Sequence, residues 1–142
     1  MSQIQIDNTI QLIYKTMKQR VYDWLKGQGL CPNMDGDRIA FKYQMKNYVF
    51  FFDSEDKNFI QLCLPGIFDW NTDNYFDVLK AMDEVNIGRK VIKAGIIGDS
   101  VWLFFEVLLD ESPEFDDIIP RGMQMLAGGQ DFFYNKLKEI CK

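Results

Sequence analysis

Apolar residues fall at helical spacing near the start of the chain, where Ile10, Ile13, Tyr14, Met17, Val21, Trp24 and Leu25 form one stripe between about Asn8 and Lys26. This spacing predicts an amphipathic helix of roughly five turns. Asp7 is placed to accept from its first free N–H groups, and Gly27 and Gly29 supply the permissive backbone that ends it. Cys31 to Gly36 then reads as a loop, because Pro32 removes a donor and Asp35-Gly36 favours a tight turn. From Asp37 the period changes to two: Ile39, Phe41 and Tyr43 alternate with Arg38, Lys42 and Gln44. Lys46-Asn47 is read as a turn into Tyr48–Phe52, and the polar run Asp53 to Asn58 as a turn into Phe59–Leu64, which Pro65-Gly66 ends. Connections this short predict an antiparallel meander of three strands.

A second helix follows, with Asn71, Thr72 and Asp73 as candidate N-caps and Tyr75, Val78, Leu79, Met82 and Val85 on one face. It ends near Asn86 and turns at Ile87-Gly88 into a strand carrying Ile92, Ala94 and Ile96 on one side and Val91, Lys93 and Gly95 on the other. Gly98-Asp99-Ser100 joins this to a last strand that is apolar on both faces, Val101, Leu103, Phe105 and Val107 against Trp102, Phe104 and Leu108, with Glu106 among them. Phe115, Ile118, Ile119, Met123, Leu126, Phe133, Leu137 and Ile140 return to helical spacing. Pro120 either kinks that helix or separates two, and Gly128-Gly129 is a second weak point. The expected architecture is a single α+β domain over residues 1–142, with a five-stranded antiparallel sheet in the order α-β-β-β-α-β-β-α.

The chain carries a formal charge of -5, which disfavours a phosphate backbone as partner, so no nucleic acid is expected. Three cysteines, Cys31, Cys63 and Cys141, without a C-x-x-C pair suggest neither a disulfide framework nor a zinc ribbon, and Cys63 is expected simply to pack. No apolar run approaches the ~18 residues that span a bilayer, and the start of the chain lacks the basic and apolar regions of a signal peptide. The expected location is the cytoplasm, with no membrane association.

Without a histidine, Ser-His-Asp and Cys-His arrangements and the usual His-based metal sites are excluded. Gly95 to Ser100 has spaced glycines but no Lys before the Ser, and it reads as a hairpin turn instead of a phosphate loop. Asn33 to Asp37 lacks the closing Glu of a calcium loop. The acidic run Asp110, Glu111, Glu114, Asp116 and Asp117 suits the first turn of a helix. Asn86, where helix gives way to strand, reads as a structural corner that bonds free backbone groups, and Lys93 is placed to pair with Glu106 across the last hairpin. No catalytic residue, cofactor or metal site is expected, and the chain reads as no enzyme.

The order of elements and the stretch DEVNIGRKVIKAGIIGDSVWLFFEVLLD resemble the YbjN-like family of candidate bacterial sensory-transduction regulators. The resemblance is carried by Asn86, Lys93 and Val101-Trp102, while Asp83 stands where members often have a second Asn. It implies a fold like that of type III secretion chaperones, a five-stranded sheet with helices against it, frequent dimers and no agreed enzymatic activity. A fold is not a mechanism.

The strongest functional hint in the residues is their excess of large aromatic groups. Phe51, Phe68, Trp70, Trp102 and Phe104 exceed what one face of a small sheet needs, and together they form a candidate partner surface. The leading expectation is a cytoplasmic protein-binding or regulatory module that uses this surface as a homodimer or for a protein client. The alternative is a small-molecule sensor with a pocket between the sheet and the third helix, near Pro120 and Gly128-Gly129.

Overall fold

The computed structural model describes residues 2–5 and 15–142. Among these, helix α1 (Met17–Gly27) starts where the Thr16 hydroxyl accepts from the Gln19 N–H at 3.1 Å, with the Thr16 backbone extended. The apolar stripe therefore does not run through one helix from Asn8: extended backbone at Thr16 breaks it. Asp7, Ile10, Ile13 and Tyr14 lie outside the described residues. Met17, Val21 and Leu25, four residues apart, are the buried edge of α1.

Among the described residues the sheet has six strands, not five, all antiparallel: β1 (Asn33–Asp35), β2 (Arg38–Tyr43), β3 (Lys46–Asp53), β4 (Asp56–Asp69), β5 (Ile92–Ile97) and β6 (Ser100–Leu108), in the order β1-β2-β3-β4-β6-β5. The extra strand is the segment read as a loop. Gly36, with φ +58°, closes a two-residue turn that lays Asn33–Asp35 back on β2. The next turn is Gln44-Met45, both left-handed with φ +49° and +65°, so Lys46-Asn47 begins β3 instead of turning the chain.

Pro65-Gly66 does not end β4. The strand continues to Asp69 through a bulge in which Leu64 and Phe68 pair with Leu103 and Val101, so the residues between them are accommodated without ladder pairs. Leu64 and Phe68, four residues apart, lie on the same face.

Helix α2 spans Tyr75–Gly88, two residues beyond the expected end. Its N-cap position is Asn74, not Asn71, Thr72 or Asp73, and no side chain caps it. Asn71 Oδ1 instead accepts from the N–H groups of Asp73 and Asn74, and Asn74 Oδ1 accepts from the Asn71 N–H at 2.7 Å. Helix α3 (Phe115–Ile140) is one continuous helix with Pro120 inside it. No helix of the described residues is long and apolar enough to cross a membrane.

Helices α1, α2 and α3 bury their apolar stripes on one side of the sheet, in a single cluster joining Val21, Val85 and Leu126 to Ile39, Phe50, Leu62 and Leu103. Three glycines set how closely α3 lies. A Cβ on Gly122 would stand 2.8 Å from the Phe105 ring, one on Gly129 would collide with Ile92, and one on Gly128 would be 2.6 Å from the Arg89 guanidinium.

Candidate interaction surface

With the helices gathered on one side, no described helix covers the other face of the sheet. The register lays that face out in rows. Arg38, Phe51, Gln61 and Glu106 lie side by side on β2, β3, β4 and β6; the next row is Ala40, Val49, Cys63, Phe104 and Lys93, ending on β5. Beyond it, Lys42 and Asn47 lie on one side of the Pro65-Gly66 bulge, and Trp102 and Gly95 on the other.

The centre of this face is aromatic. Phe51 and Trp102 start from strands with β4 between them, yet their rings meet at 6.1 Å, and Trp102 stacks on Phe104 at 6.3 Å. Cys63 lies on β4 between their strands and is fully buried, and Val49 beside it is 8% exposed. Burial pushes the Cys63 thiol up to about 12, with the neighbouring Glu106 carboxylate adding to the rise and Lys93 opposing it. Gly95 makes room for the Phe104 ring, since a Cβ there would be 3.2 Å from it. At the rim, Leu108 and Ile97 are 73% and 47% exposed. An apolar centre with charges at the border is the anatomy of a protein contact.

Two ion pairs flank that centre. Lys93 pairs with Glu106, one position diagonal across the hairpin, and its ammonium also lies 5.9 Å from the Phe104 ring centre. At the opposite border Arg38 lies 3.7 Å from Asp35.

Of the five aromatic residues expected to share a surface, the structure brings Phe51, Trp102 and Phe104 together and leaves two elsewhere. Phe68 lies on the helix side, its ring 5.9 Å from that of Phe133, because β4 continues through Pro65-Gly66 and places it four residues after Leu64 on the same face. Trp70 packs on Tyr75 at 4.8 Å and donates its indole N–H to the Gly98 carbonyl at 3.2 Å, which ties the β5–β6 turn to the start of α2. The surface also contains residues that sequence reasoning missed. Ala40, Val49 and Arg38 carry a visible signal, since each alternates with a core position of the same strand.

Asn86 bonds free backbone groups at the corner. Its Oδ1 accepts from the Ala94 N–H at 2.7 Å, and its Nδ2 donates to the Ala94 carbonyl at 3.3 Å. The amide thus occupies the outer edge of β5. Three members of the acidic run have partners: Asp110 accepts from the Ser112 N–H, Asp117 pairs with Arg121 one turn on, and Asp116 accepts from the Trp24 indole, which ties α3 to α1. No group of three or more His, Cys, Asp or Glu among the described residues could hold a metal ion.

Ile92, Leu103 and Arg89 fill the space directly beside Gly128-Gly129, while a small cavity of about 230 Å³ lies between the sheet and α3 a turn further on, lined by Asn47, Leu64, Ile67, Gln130 and Tyr134. A groove of about 640 Å³ lies at the start of α1. Three of the four cations that line it are engaged: Lys15 with Asp23, Lys18 with the Gly36 carbonyl and Arg20 with the Glu111 carbonyl.

No family model and no curated protein matches the sequence. Two solved structures match its shape. One is YbjN of E. coli, a candidate transcription regulator, at a TM-score of 0.59 and 7% identity over 79% of this chain and 87% of that one. The fold is that of YbjN. An uncharacterized protein from Methanothermobacter thermautotrophicus matches at a TM-score of 0.58 and 9% identity, over 87% of this chain and 98% of that one. At such identities the likeness speaks for the fold alone.

Proposed function

We propose that this protein is a non-enzymatic, cytoplasmic protein-binding module, and that the sheet face no described helix covers takes a second copy of the chain. The observation that carries this reading is the aromatic group Phe51, Trp102 and Phe104, half-buried on a face that no described helix covers. Apolar groups presented this way lose free energy to water until something is laid on them, at roughly 25 cal/mol per Å². The charge distribution supports a copy of the same chain. This face carries Arg38, Lys42 and Lys93 against Asp35 and Glu106. It is thus close to neutral in a chain of charge -5, so two such faces meet with little of the repulsion that the rest of the surface imposes.

Native mass spectrometry of the gently purified protein tests the reading. The expected species is a homodimer, and Trp102→Ser with Phe104→Ser is expected to shift it to monomer with its circular dichroism unchanged. A folded double variant with the association state of the parent would remove the assignment to this face, and a stoichiometric foreign chain would point to a client.

A further inference from the structure

The self-association reading leaves open how two copies would sit, and the register of the open face is specific enough to say. This inference rests on that reading. We propose that the two copies stack face to face about a two-fold axis parallel to the strands and lying between β3 and β4. Such an axis exchanges β2 with β6 and β3 with β4, so every row of one copy lies over the same row of the other in reverse.

The rows are self-complementary under that operation. In the first, Arg38 lies over Glu106 of the second copy, cation over anion. In the second, Ala40 lies over the second copy's Phe104, the smallest side chain of the row over its largest. In the third, Lys42 lies over the second copy's Trp102, a cation over the aromatic face that binds cations best. The two in-chain ion pairs sit at opposite borders, so Asp35-Arg38 of one copy faces Lys93-Glu106 of the other with opposite signs in reach. A two-fold perpendicular to the strands would instead set β2 over β2, bringing basic residues together.

Aligned sheets pack about 10 Å apart and cross at roughly 30°. At about 4.8 Å between strands, β2 and β6 lie some 7 Å from the axis, so the crossing shifts their residues by about 4 Å. Arg38 and Glu106 are long enough to span that shift.

The test is a charge swap on the full chain, read by sedimentation across a dilution series with circular dichroism as the check on folding. Arg38→Glu and Glu106→Arg are each expected to raise the dimer dissociation constant at least about tenfold, and the two together are expected to recover most of it. Pairing Glu106→Arg with Lys93→Glu restores the in-chain pair only, and is expected to leave the dimer weak. Ala40→Trp adds bulk at an exposed position that the second copy's Phe104 would occupy, and is expected to give a folded monomer. A parent protein that is monomeric at every concentration would sink the self-association reading and this arrangement with it. A dimer indifferent to Ala40→Trp and to the swap would keep the reading and overturn the arrangement.

Discussion

Cys63 shows how one residue reports on the face around it. Its thiol is fully buried and pushed up to about 12, and a thiol attacks disulfide reagents only as thiolate, so it is expected to be inert in the folded protein. Cys31 and Cys141 are exposed. A chromogenic disulfide reagent near neutral pH should therefore titrate two thiols quickly and the third only on unfolding. Trp102→Ala, which removes one of the two rings that meet above β4, should make the third reactive in the folded state; unchanged protection would mean that those rings do not shield it. The alternation of β4 makes Cys63 legible as a packed strand residue, but not the meeting of Phe51 and Trp102. That contact depends on β6 lying beside β4, a pairing between segments some forty residues apart that local periodicity does not encode.

Among the elements, α3 shows the largest gap between propensity and packing. Glycine inside a helix costs about 1 kcal/mol relative to alanine, which is why Gly128-Gly129 read as a weak point. The sequence does not reveal what lies opposite. Gly122 and Gly129, seven residues apart and so on one face, let the helix backbone approach Phe105 and Ile92. Adding a methyl group there is overpacking, typically a loss of 1–3 kcal/mol, partly offset by the gain in helix propensity. Gly122→Ala and Gly129→Ala should each lower stability by roughly 1 kcal/mol in urea unfolding; a stabilised variant would show that the approach is looser than described. Pro120 fails to break α3 for a related reason, since a helix held along its length by apolar contacts can lose one backbone bond. The period-two and helical patterns marked every long element, whereas β1, three residues long, offered too few positions to show a period.

At the scale of the molecule, the sheet has a closed side, packed by the helices, and one that no described helix covers, the open side, and two buried acids couple that division to pH. Burial raises the Tyr48 hydroxyl on the closed side above its ordinary value of 10.0, with Tyr43 adding to the rise, as it raises Cys63 on the open side. Both groups stay protonated in the folded state at pH values where the unfolded chain releases protons. Stability from them is complete below the ordinary thiol and phenol values and falls as pH rises through about 9 to 12. The urea midpoint should drop over that range, and Cys63→Ala should flatten part of the decline; an unchanged slope would remove the thiol from the account. The faces were legible in the sequence as alternation, and β6 as apolar on both sides. The error in grouping Phe68 with Phe51 came from ending β4 at Pro65-Gly66: with the strand continued to Asp69, Phe68 stands four residues from Leu64 and shares its face. Asn86 carries a last consequence. Its amide fills the backbone groups of Ala94 that an added strand would need, and the opposite border, β1, offers only three residues. The sheet is thereby closed to lengthening at one border and nearly so at the other. The face-to-face association proposed above would then end at pairs instead of growing into ribbons, since two mated faces leave no third face of the same kind.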